Sequence, residues 1–121
     1  MDVEDMGGKK ILIVEDEYLI AADMALQFEQ WGVAVIGPAA NVAKALALIA
    51  ATEGLDGAVL DVNLQDGVVY PVADALREKG VPYVFATGYD RVDLPERYRD
   101  APQHEKPIDP EQVMRSLLAG R

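Results

Sequence analysis

Four short segments hold the residues able to do chemistry, and each closes an apolar run. Gly57-Ala58-Val59-Leu60 ends in Asp61 and a polar turn, Val62 to Gly67. Ile11-Leu12-Ile13-Val14 ends in Glu15-Asp16-Glu17. Val81 to Ala86 runs into Thr87-Gly88, and Gln103-His104-Glu105 into Lys106-Pro107. In open α/β sheets, ligands bind outside the carboxyl ends of the strands. The four endings therefore predict a single rim carrying acids, an acceptor aspartate, a hydroxyl and an ammonium. That set handles a phosphoryl group and a divalent cation. Mg2+ in particular takes a few carboxylates, waters and phosphate oxygens.

Each feature alone has a plainer reading. Glu15, Asp16 and Glu17 precede a helix, where acids gain ~0.3–1 kcal/mol each from the helix dipole. Asp61 suits a turn, Thr87-Gly88 suits the start of a loop, and Lys106-Pro107 suits a surface lysine before a turn. Together they argue otherwise. Two carboxylates about 4 Å apart repel by roughly 4 kcal/mol at an effective dielectric near 20. A fold that keeps them together needs a cation, and a lysine and a metal ion would both serve. The X-Pro bond at Lys106-Pro107 is a candidate for the cis form.

Elements that place these residues alternate along the chain. Five strand-like and helix-like patterns predict an α/β fold, a parallel sheet with helices on both faces. The first strand, Ile11 to Val14, is wholly apolar, as a strand buried on both faces should be. Helix one is expected over about Glu17 to Trp31, mostly buried with one polar stripe of Asp23, Gln27 and Gln30. Strand two is expected over Val33 to Ile36, ended by Gly37-Pro38. Asn41 is the expected N-cap of helix two. Strand three covers Ala58 to Leu60, helix three Val68 to Lys79, and strand four Val81 to Ala86. Asp90 to Ala101 holds at best a short helix around Pro95. Strand five is Gln103 to Glu105, and the last helix follows Asp109 as N-cap with Pro110 at its first position. Residues 1–9 read as a loose polar tail and 10–119 as one domain.

The chain has 121 residues, half of them hydrophobic, enough for one core. With no cysteine and one histidine, His104, disulfides and the usual zinc sites are excluded. His104 reads as an ordinary strand residue rather than a phosphate carrier. A formal charge of −10 opposes nucleic acid and anionic membranes. No run approaches the ~20 apolar residues of a membrane span, and the N-terminus lacks a signal peptide's pattern. A cytoplasmic protein with neither nucleic acid nor membrane as partner is expected. Gly-rich dinucleotide and phosphate loops are absent, and the one serine, Ser116, lies in the last helix.

Read jointly, Ile-Leu-Ile-Val-Glu-Asp-Glu (11–17), Leu-Asp-Val-Asn-Leu (60–64) with Asp66-Gly67, Ala-Thr-Gly (86–88) and Glu-Lys-Pro (105–107) resemble a response-regulator receiver domain of two-component systems. The likeness runs from about Lys10 to Leu118. It implies a flavodoxin-like sheet of order 2-1-3-4-5 and a stand-alone regulator that is not an enzyme on other substrates. Asp61 would accept a phosphoryl group from a histidine kinase. Glu15, Asp16, Asp61 and the Asn63 backbone carbonyl would hold Mg2+, Thr87 would bond the phosphoryl group, and Lys106 would pair with it. The change would spread around strand four, helix four and strand five, to signal to a downstream protein or to buffer phosphate.

Two departures stand out. Receivers usually carry an aromatic switch residue three positions before the lysine, where this chain has Gln103. Phe-Ala-Thr-Gly-Tyr (85–89) resembles the receiver subclass named for Phe-Ala-Thr-Gly-aromatic, which makes Gly88 a candidate joint and Tyr89 a candidate switch. Two competitors remain at this stage. One is an aspartate-nucleophile phosphatase of the dehalogenase type, which usually needs a second Asp where this chain has Asn63. The other is a degenerate receiver that only binds a partner.

Overall fold

The computed structural model describes residues 6–88 and 93–119. The elements are β1 (Lys10–Val14), α1 (Tyr18–Gln30), β2 (Ala34–Ala39), α2 (Val42–Ala51), β3 (Leu55–Asp61), β4 (Asn63–Leu64), β5 (Gly67–Val68), α3 (Tyr70–Glu78), β6 (Tyr83–Thr87), a 3₁₀ turn (Glu96–Tyr98), β7 (Gln103–Glu105) and α4 (Pro110–Ala119). The main sheet is parallel, in the order β2-β1-β3-β6-β7. This is the expected order, because β4 and β5 form a separate small hairpin that shifts the later numbers by two.

Strand alternation splits the core in two. Leu12, Val14, Ala58, Leu60, Tyr83 and Phe85 face α2, α3 and the 3₁₀ turn. Ile11, Ile13, Val59, Val84 and Ala86 face α1 and α4. Side chains one apart on a strand point to opposite faces, so a strand covered on both sides must be apolar throughout. That is why Ile11 to Val14, Gly57 to Leu60 and Tyr83 to Ala86 read as continuous apolar runs.

Several boundaries differ from expectation. β2 continues through Gly37-Pro38 to Ala39. It is an edge strand, where proline removes no needed ladder bond, and a register shift on β1 between Leu12 and Val14 absorbs one extra residue. Gly37 sits at φ 96°, and a Cβ there would lie 2.8 Å from Ala39 N and 2.9 Å from Ile13 O. α3 starts at Tyr70 because the hairpin occupies Asn63 to Val68. Over 93–101 the expected short helix is only the 3₁₀ turn. α1 is less buried than expected: Ala21, Met24, Ala25 and Phe28 face inward, while Tyr18, Leu19 and Leu26 are exposed. Within the tail expected over residues 1–9, Met6 packs inward while Gly7 and Gly8 are exposed. Met6 is 1% exposed, and Gly8 N donates to Gly32 O at 2.8 Å. Residues 1–5 lie outside the described part.

Local signals hold the elements. Asn41 Oδ1 accepts from Lys44 N at 2.8 Å, capping α2. Asn41→Ala should cost about 1 kcal/mol of stability, read as a lower urea midpoint at unchanged slope. Asp66, at the hairpin tip, accepts from Val42 N (2.8 Å) and Ala43 N (3.3 Å), tying the turn after Asp61 to the same helix end. Tyr98 fixes the 3₁₀ turn. It is fully buried, stacks on Tyr70 with ring centres 4.7 Å apart, and donates to Asp74 Oδ1 at 2.6 Å. Tyr98→Phe keeps the stacking and loses the bond, so urea unfolding should report a loss of about 1 kcal/mol.

Candidate functional site

Strand register builds the site. Val14 lies beside Leu60, Leu60 beside Phe85, and Phe85 beside Gln103. One step further along each chain are Glu15, Asp61, Ala86 and His104; Thr87 and Glu105 pair one step beyond that. Lys106 comes next, and its backbone N donates to Thr87 O at 2.9 Å. All four strand endings thus reach the same rim. Glu15 is also pinned by its own N, which donates to Ala39 O at 2.9 Å.

The rim groups come together as expected. One carboxylate oxygen from each of Glu15, Asp16 and Asp61 lies within 4.8 Å of the others. Glu15 and Asp61 are buried and Asp16 half-buried. The Lys106 ammonium reaches Glu15 Oε1 at 2.9 Å, Glu17 Oε1 at 3.1 Å and Asp61 Oδ2 at 3.4 Å. Asn63 N lies 3.4 Å from Asp61 Oδ1, a long bond that holds the carboxylate toward the turn. Thr87 is 1% exposed, and its hydroxyl oxygen has no hydrogen-bond partner among the described residues. A buried hydroxyl without a partner is costly. The Lys106-Pro107 bond is cis.

Above these groups opens a cleft of about 670 Å³. α1 supplies Ile20, Asp23 and Met24 on one wall, and Pro107, Ile108 and Pro110 form the other. Asp16, Glu17, Asp61, Asn63, Gly88 and Lys106 complete the lining. Asp61 is therefore buried yet reached from outside.

Electrostatics follow from this crowding. Burial pushes the Asp61 carboxyl up to about 8, helped by its hydrogen bond to Glu15 and by the Glu15 and Asp16 charges, with Lys106 pulling the other way. Burial pulls Lys106 down, but its bonds to Glu15 and Glu17 and the charge of Asp61 outweigh that and hold it above the ordinary lysine value. One ammonium does not balance four acids. A hard divalent cation would offset most of the remainder, and the carboxylate set matches its chemistry.

Three other residues were singled out from the sequence. Gly88 lines the cleft at ordinary φ, and among the described residues nothing lies within 4 Å of a Cβ built on it. Tyr89 lies outside the described residues. His104 Nε2 is 2.9 Å from Ser116 Oγ, tying β7 to α4 away from the rim chemistry. Sequence reading grouped Glu17 with its acidic neighbours and missed its pairing with Lys106. The available signal was a third acid in the run, exposed at the start of α1.

No protein-family model matches the chain. It is similar to SdrG from Sphingomonas melonis Fr1, with 39% identity, 91% of this chain and 96% of that chain covered, and TM-score 0.78. It is similar to the PhyR response regulator REC domain of Erythrobacter litoralis, with 28% identity, 96% and 92% coverage, and TM-score 0.73. Among curated proteins it matches the transcriptional regulatory protein PdtaR of Mycobacterium tuberculosis, 33% identical over 103 residues, 83% of this chain and 49% of PdtaR. The chain spans at most about half the length of the curated relatives it matches. With its five-stranded parallel sheet, acidic rim and near full-length likeness to SdrG, the chain belongs to the response-regulator receiver family.

Proposed function

We propose that Asp61 accepts a phosphoryl group from a phosphohistidine of a histidine kinase, and that Glu15, Asp16, Asp61 and the Asn63 carbonyl hold Mg2+ for that transfer. The observation that carries this reading is the position of Lys106. Its ammonium, from a separate strand end, bridges Glu15 and Asp61 beside the buried, unpartnered Thr87 hydroxyl. Such an arrangement suits a phosphoryl group with three oxygens to satisfy. A further structure of SdrG, in its BeF3-activated conformation, gives the same reading a precedent at 40% identity.

In the transfer, an Asp61 carboxylate oxygen forms a bond to phosphorus as the phosphorus–nitrogen bond of the donor breaks, and the electron pair leaves with the imidazole. Lys106 holds one phosphoryl oxygen by a charge-assisted bond. Thr87 donates its hydroxyl to another. Mg2+, when bound, supplies positive charge against the transferring oxygens. The exposed Tyr18 and Leu19, at the start of α1 beside the cleft, provide apolar surface for a protein donor.

The phosphoryl group brings roughly two negative charges to the rim. Its contacts with Thr87 and Lys106 exist only in the phosphorylated state, so they bias the ends of β6 and β7 and the segment between them. Gln103 holds the usual aromatic position, so the switch would pass through Gly88 and Tyr89 instead. Output would be contact with another protein, or phosphate buffering for the kinase.

Acetyl phosphate with Mg2+ tests the reading. Wild-type protein should gain base-labile phosphate, and the gain should vanish with a chelator. Steady release of phosphate from many monoesters would point to a phosphatase instead. No uptake and no turnover would leave a binding-only domain.

A further inference from the structure

The Lys106 ammonium lies within 3.4 Å of one oxygen from each of three carboxylates, and these are not equivalent. Glu15 Oε1 is nearest at 2.9 Å, with its side chain 2% exposed. Glu17 Oε1 follows at 3.1 Å, with its side chain 60% exposed. Asp61 Oδ2 is the farthest, at 3.4 Å. Asp61 carries the phosphoryl group, so a phosphoryl oxygen that reaches the ammonium competes with the two glutamates for it, and one yields.

Their environments decide which. Glu15 is buried, its side chain 2% exposed, so it has no water to turn to in exchange for the ammonium. Glu17 can return to water at small cost, because ion pairs with an exposed partner are weak. Nor is Glu17 held by another duty: it stands at the N-cap position of α1 with no side-chain cap bond. Its backbone N donates to Glu15 Oε2 at 3.2 Å, which keeps its side chain at the cleft wall beside the lysine.

We infer that Glu17 is a positioning residue for phosphoryl uptake: it holds Lys106 in the resting state and competes with the incoming phosphoryl group for the ammonium. This rests on the phosphoacceptor reading of Asp61. The exchange is of ion-pair partners only. Nζ leaves Glu17 Oε1 for a phosphoryl oxygen and keeps Glu15, and the displaced Glu17 carboxylate turns to solvent.

Calorimetric titration with beryllofluoride in the presence of Mg2+ tests the competition on the intact chain. Glu17→Gln should bind about two- to five-fold more tightly than wild type, the range an exposed ion pair allows. In a Lys106→Met background the same substitution should change nothing. Glu29→Gln, which removes equal charge from the far end of α1, should match wild type. Thermal melts of Glu17→Gln should show an intact fold. Equal gains with and without Lys106, or with Glu29→Gln, would reduce Glu17 to a surface charge and overturn the inference. Weaker binding by Glu17→Gln would overturn it too, making Glu17 a support rather than a competitor. Wild type that binds beryllofluoride with Glu17→Gln unchanged sinks this inference alone. Wild type that binds none sinks the reading of the site, and the inference with it.

Discussion

Lys106→Met should lose about 3 kcal/mol of stability near pH 8 without metal, and Mg2+ should return much of it. The side chains of Glu15 and Asp61 are 2% and 11% exposed, and Lys106 is the cation that touches both. Removing one member of a buried pair leaves charge that the interior does not tolerate, at about 3–5 kcal/mol. Protonation of the orphaned acids caps the loss, so the deficit should shrink toward pH 5. Mg2+ bound to the folded site and not to the unfolded chain would stabilise by mass action, and its charge would replace the missing ammonium. Urea unfolding at both pH values, with and without Mg2+, measures all four cases. A pH-independent deficit that Mg2+ leaves untouched would mean that Lys106 acts by packing alone.

Asp61→Asn should do the opposite and make the metal-free protein more stable, by about 2 kcal/mol near pH 8 once solvent screening is allowed for. The carboxyl is pushed up to about 8 chiefly by burial, from 3.8 in an ordinary setting. Between these values the folded state holds a proton that the unfolded chain releases, so rising pH favours unfolding. The penalty is absent below about pH 4, grows as pH climbs, and levels off above about 8. The neutral amide escapes it. Mg2+ should reverse the ranking, since the wild-type carboxylate offers the cation a full ligand. Equal stability of the two proteins from pH 5 to 8 would contradict the crowding described for this rim. By the same competition between proton and cation, the Mg2+ affinity of the proposed site should rise with pH over this window.

Much of this was legible because buried parallel strands leave a plain mark. β1, β3 and β6 are covered on both faces, so each reads as an apolar run whose first polar residue lies at the rim. Glu15, Asp61 and Thr87 were found that way, and β7, only three residues long, was placed by Lys106-Pro107. The hairpin at Asn63–Leu64 and Gly67–Val68 was missed because two-residue strands have no period to detect. β2 was cut short because Gly37-Pro38 normally ends a strand, and only its place at the sheet edge permits it to continue. The exposure of Leu19 and Leu26 was misread because composition gives the apolar content of a helix but not which faces find partners. Glu17 and Lys106 are 89 residues apart, and only the register across four strands brings them together.

The most direct test of the site is peptide mapping of wild-type protein after exposure to a small-molecule phosphodonor and Mg2+. The expected result is one acid-stable, base-labile adduct on the peptide carrying Asp61, lost in Asp61→Asn and slowed in Lys106→Met and Thr87→Ala. Phosphate on His104, on Ser116 or on no residue at all would contradict it.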